Sequence, residues 1–158
     1  MSDEHKFLLQ KVQPAMVGLI DGSLSTLAPI FSLAFYTHEP HTAFVAGLSV
    51  SIGAAISMAY SEGLSDTGEL TGRGSPLTRG LITGGGTFIG GILHTLPFLL
   101  SSYHAAVTTA AIVVAFELVG LAILRWRFFE TSFTKSLLNF VVGGAVIALV
   151  GVLVGSVA

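Results

Sequence analysis

Residues 14–36 read PAMVGLIDGSLSTLAPIFSLAFY, an apolar run carrying a single charge, Asp21. About 20 apolar residues suffice for a helix to cross the hydrocarbon core of a bilayer. Four further runs of this kind follow, at 42–64, 80–101, 104–124 and 136–157. They are continuous rather than alternating and rich in Gly and Ala, which argues for helices over barrel strands. The whole composition agrees. The 158 residues are 52% hydrophobic and 10% charged, with mean hydropathy +0.82. A soluble domain carries about 25% charged residues, and this chain has too few to cover its surface. The expected fold class is an all-α integral membrane protein with five transmembrane helices.

The charges are placed as that reading requires. All seven Lys and Arg fall before the first run (Lys6, Lys11), between the second and third (Arg73, Arg79) or between the fourth and fifth (Arg125, Arg127, Lys135). The basic side of a membrane protein faces the cytoplasm. The N-terminus is therefore expected inside and the C-terminus outside. Residues 1–12 read as a short cytoplasmic segment, either an interfacial helix with Phe7, Leu8 and Val12 towards lipid or an unstructured tail. Residues 13–158 form one membrane domain. Pro29 and Pro97 are expected to kink their spans. Net charge is −2 with no basic cluster, so no nucleic-acid partner is expected, and without cysteine there is no thiol chemistry. No enzyme constellation is found.

The polar residues inside the runs carry the functional signal, because ionisable groups in a bilayer face a bundle interior or a wet cavity. Asp21 lies about 12 Å from the inner edge of its span at 1.5 Å per residue, and Met58 about 9 Å from the same edge. Glu62 follows Met58 by one turn. Asp66 and Glu69 extend the same stripe if the helix runs on past the membrane surface. Such a stripe offers carboxylates and a thioether to a divalent cation, and the soft sulfur suits ferrous iron better than magnesium or calcium. Packing methionine and solvated helix-end acids are the plainer readings of Met58, Asp66 and Glu69 taken singly. His94 and Glu117 are about 8 Å apart in depth by the same counting. They read either as a structural polar bridge or as a proton-relay station, pairing only if the spans shift or a water intervenes. Gly18 and Gly22 bracket Asp21 and mark a close helix contact. His38 and His41 flank Glu39 in an outer loop, read as solvated or as a landing point for a leaving ion.

Two motifs, GLIDGSLSTLAP at 18–29 and SMAYSEGLSD at 57–66, resemble those of the vacuolar iron transporter family. With LTGRG at 70–74, the chain is most similar to the membrane domain of membrane-bound ferritins, the erythrin branch. The resemblance implies proton-coupled export of ferrous iron, and often manganese, by a homodimer whose ion path is lined by spans 1 and 2. It implies Asp21 and Met58 as intramembrane ligands, Glu62 as the cytoplasmic mouth, protons as counter-ion, and a bacterial inner membrane. No tightly bound cofactor is implied; iron or manganese is cargo. The family's acid-rich insert is reduced here to about residues 65–79, and a ferritin-like domain is missing. The chain is expected to be a stand-alone transporter or an excised domain, with a ferritin-like protein as iron donor. Two other readings stay open: a non-transporting membrane anchor or assembly module, and a passive dimeric cation channel.

Overall fold

The computed structural model describes residues 2–158, and these are helical without strands. Five long helices follow one another: α1 (Asp3–Thr37), α2 (Pro40–Ser65), α3 (Pro76–Leu93), α4 (Tyr103–Phe129) and α5 (Phe133–Val157). Of these α1, α2, α4 and α5 are long and apolar enough to cross a membrane. The third expected span is the exception. Rather than one kinked helix over 80–101, α3 stops at Leu93 and a short 3-10 turn covers Leu96–Leu99. Pro97 is the cause. It has no N–H to offer the carbonyl of Leu93, and its ring crowds that carbonyl. Pro29 acts in the same way but more mildly. The regular α-helix ends at Ser25, four residues before Pro29, and resumes at Leu27.

The N-terminal segment is not an unstructured tail. Residues Asp3–Phe7 are helical and pass through a π-helical turn, Leu8–Val12, directly into the first span. Phe7 is exposed, whereas Val12 packs against an apolar cluster of Met16, Leu118, Leu121, Ala122 and Phe140. A second cluster gathers Leu27, Ile30, Phe31 and Ala34 of α1 with Ala43, Phe98, Ala106 and Ala110.

Helix α3 is inverted relative to a soluble protein's helix. Its buried residues are Arg79, Gly80, Thr83, Gly84, Gly86, Thr87, Gly90 and Gly91. Its large apolar residues, among them Leu77, Leu81 and Ile89, are exposed. Small inward faces let backbones meet, the usual solution where lipid supplies no hydrophobic drive between helices. Both neighbours use it. A Cβ on Gly18 or Gly22 of α1 would overlap the backbone carbonyls of Thr83 and Thr87, and one on Gly86 would stand 2.8 Å from Ala15 O. On the other side, a Cβ on Gly80 or Gly84 would come within 2.5 and 2.7 Å of the Ala59 and Ala55 carbonyls of α2. Thus α3 is held between α1 and α2, backbone to backbone. The second half of α1 meets α5 through Gly151 and Gly155 in the same manner.

Candidate functional site

Two polar constellations stand out, one at the basic end of the bundle and one in its interior. At the basic end, α2 stops at Ser65 and Asp66 caps it in extended conformation. The metal stripe expected along one continuing helix therefore does not form. Glu62 remains on α2, Asp66 turns into the connection to α3, and Glu69 lies exposed in a turn. The connection folds back on itself at glycines of positive φ: Gly68 (81°), Gly72 (69°) and Gly74 (75°). At Gly68 the requirement is double, since a Cβ there would also overlap Gly74 O.

That turn delivers two arginines to the acids. Arg73 reaches Glu62 Oε1 at 2.6 Å and Asp66 Oδ2 at 3.1 Å. Arg79, fully buried on the first turn of α3, donates from Nε to the same Glu62 oxygen at 2.9 Å and lies 3.5 Å from Asp66 Oδ2. Its remaining N–H groups bond Gly74 O at 2.9 Å and Asp66 O at 3.1 Å. Two carboxylates face two guanidiniums, so the cluster is neutral. Partial burial acts to raise the Asp66 carboxyl. It is outweighed by bonds from the Thr71 hydroxyl, the Gly68 amide and Arg73, and by the charge of Arg79, which together hold it below the usual carboxylate range. Gln10 of α1 ties into the same turn through Gly72 O at 2.9 Å.

The interior constellation is a direct pair. His94 Nδ1 lies 2.9 Å from Glu117 Oε2, and His94 Nε2 lies 2.8 Å from Thr26 Oγ1, which bonds Gly22 O at 2.8 Å. The offset of about 8 Å expected from helical counting is absent. Beyond His94 the chain is not α-helical: a 3-10 turn rises about 2 Å per residue, and Leu100 and Ser102 are extended. Uniform helical counting therefore does not hold for the segment after His94, and the two side chains meet directly. The side chain of His94 is fully buried and that of Glu117 is 7% exposed, and Glu117 Oε1 has no partner. This layer falls between the two apolar clusters, with Thr26 next to Leu27 and Glu117 next to Leu118.

Asp21 is half-buried on α1, one residue before Gly22, and no described residue hydrogen-bonds or ion-pairs with it. Met58 is half-buried on α2. Neither is joined to the arginine cluster. Among the described residues no three His, Asp or Glu side chains converge where a metal ion could sit. Gly18 and Gly22 face α3, as described. In the loop after α1, His38 stacks on Tyr103 at 4.8 Å and His41 lies beside Phe44, so the two rings have separate aromatic neighbours.

Three residues that organise these sites were not singled out in the sequence. In the sequence Arg73 and Arg79 mark orientation, and Arg73 and Thr26 fall within quoted motifs with no role of their own. A signal for Arg79 exists: Arg79, Thr83 and Thr87 recur every fourth residue, one polar stripe along an apolar helix. Comparison of the chain with protein-family models, curated proteins and solved structures finds no match.

Proposed function

We propose that the chain is a proton-coupled exporter of ferrous iron, with manganese as a second cargo, acting as a homodimer in a bacterial inner membrane with its N-terminus in the cytoplasm. The observation that carries this reading is Asp21, an acid within an apolar helix that no described side chain neutralises. An unpaired carboxylate in a bilayer is costly, so its retention calls for a cation, a proton or a wet path. A ligating carboxylate must be ionised, so metal binding at Asp21 releases protons. Met58 adds the soft donor. A two-fold partner would double both groups and supply the ligand number that one chain lacks.

Entry from the basic end passes Glu62. A cation there competes with Arg73, the more exposed of the two arginines, while buried Arg79 stays in place. The test is metal flux into proteoliposomes under a pH gradient. Wild type carries iron or manganese against the proton flow, and Asp21→Ala does not. Equal transport by Asp21→Ala overturns the mechanism.

One observation favours a second reading, a membrane anchor or assembly module: Glu62, the expected mouth, and Asp66 beside it are already ion-paired. Under that reading calorimetric titration shows no saturable iron or manganese binding, and substitution of Asp21 leaves assembly unchanged.

A further inference from the structure

The hydrogen-bond directions around His94 fix how many protons the interior layer holds. Thr26 has one hydroxyl proton and two partners, Gly22 O at 2.8 Å and His94 Nε2 at 2.8 Å. A backbone carbonyl can only accept, so the hydroxyl donates to Gly22 O. The Thr26 oxygen must then accept from His94, which places a proton on Nε2. The 2.9 Å contact between Nδ1 and Glu117 Oε2 still needs a proton of its own. It is carried either by the carboxyl, facing a neutral ring, or by Nδ1, facing a carboxylate. Both descriptions are neutral overall and differ only in where one proton lies along one hydrogen bond.

Removing that proton leaves a lone pair on Nδ1 facing an anion. The pair escapes the repulsion only by moving the remaining ring proton from Nε2 to Nδ1, where it bonds the Glu117 carboxylate. Nε2 then becomes an acceptor, and the Thr26 hydroxyl must swing to donate to it, releasing Gly22 O. The layer thus has two hydrogen-bond directions that differ by one proton.

We propose that Glu117 and His94 form a one-proton binding site whose occupancy is read by α1 through Thr26. Thr26 stands at the interruption of α1, between the half that carries Asp21 and the half that packs on Phe98, Ala106 and Ala110. The loaded site holds Thr26 on Gly22, the residue after Asp21; the empty site lets go. Glu117 Oε1 is buried without a partner, so the carboxyl keeps one oxygen free to take the exchanging proton. Other ionisable groups in this layer are few. Asp21 lies on α1; α4 carries none between His104 and Arg125 other than Glu117; α2 carries none between His41 and Tyr60; α5 carries only Lys135, at its far end; and α3 only Arg79, at its far end. As a coupling element the site rests on the transport reading above; as a proton site it stands without it.

Infrared difference spectra of the full chain in lipid vesicles, taken as pH is raised, test the proton site directly. Wild type loses one carboxylic-acid or imidazolium signal per chain while its helical bands persist. Glu117→Gln lacks that signal, His94→Gln shifts its midpoint, and Asp21→Asn keeps it. Identical spectra for wild type and Glu117→Gln overturn the site and leave a fixed polar bridge. Thr26→Val covers the case in which those variants do not fold, since it leaves both titrating side chains intact. It keeps the titrating signal with a shifted midpoint, and the ratio of metal flux with and without a pH gradient falls to about one as the coupling is lost. An unshifted midpoint together with wild-type flux coupling overturns the role of Thr26. Absence of any metal flux in wild type would overturn the transport reading, and the infrared titration would still decide the proton site.

Discussion

Replacing Arg79 with Met tests whether the neutral cluster at the basic end holds α2 and α3 together. Met matches the aliphatic stem of Arg79, so the change removes the guanidinium with its charge and donors. Arg79 is fully buried and bonds Glu62 Oε1, Gly74 O and Asp66 O within 3.1 Å. Without it Glu62 keeps only Arg73, and the backbone carbonyls of Gly74, Asp66 and Glu62 lose a donor. Breaking a buried ion pair by deleting one partner costs about 3–5 kcal/mol. The carbonyls sit at a helix end where water can reach, which places the expected loss near the lower figure, about 3 kcal/mol. Arg79→Lys keeps the charge but not the planar fork, and should recover less than half of the loss. The assay is reversible unfolding of the full chain in bicelles, with hydrogen exchange reporting whether the 66–75 turn opens first. A loss below about 1 kcal/mol, the range of exposed pairs, would refute the view that the cluster is a structural clamp.

Other outcomes follow from the same packing and charge pairing. Gly22→Ala drives a methyl group into the Thr87 carbonyl, a backbone atom that cannot rotate away, and should cost about 1–3 kcal/mol in the same unfolding assay. Gly53→Ala, with open space at its Cβ, should cost nothing and serves as control. The Asp66 carboxyl is held below its ordinary value, so its contribution is complete above the unfolded carboxylate range and lost as pH falls through the folded value. Acidification should therefore raise amide exchange at Gly68, and Asp66→Asn should raise it at neutral pH and remove the acid dependence. A reporter fused after Ala158 should be accessible only from outside the cell; cytoplasmic accessibility would refute the orientation.

How far the sequence carries can be judged residue by residue. The helices were legible because apolar runs and charge blocks alternate with little ambiguity. Proline positions were legible as defects, but their severity was not: Pro29 interrupts α1 briefly, whereas Pro97 ends α3. The segment after His94 is not α-helical, and so a rule of uniform rise could not foresee its direct contact with Glu117. The glycine spacings pointed to close packing without naming the partner, because a small residue says only that something comes near. The acid stripe beyond Met58 failed for a local reason. Asp66 leaves the helix to cap it and to accept bonds from the turn, a choice its short side chain makes readily. The arginines opposite it come from residues 7 and 13 positions downstream of Asp66, and only the folded turn brings them back.

Helix α3 also bears on how such a chain enters a bilayer. With Gly and Thr on its inner face and an arginine near its start, it gains less from lipid than the four longer helices do. Its backbone finds its complement only when α1 and α2 are already beside it. Insertion of the third segment should therefore depend on its predecessors: expressed alone behind a leader, residues 76–99 should pass through the translocon rather than stop in it, and the preceding hairpin should restore retention.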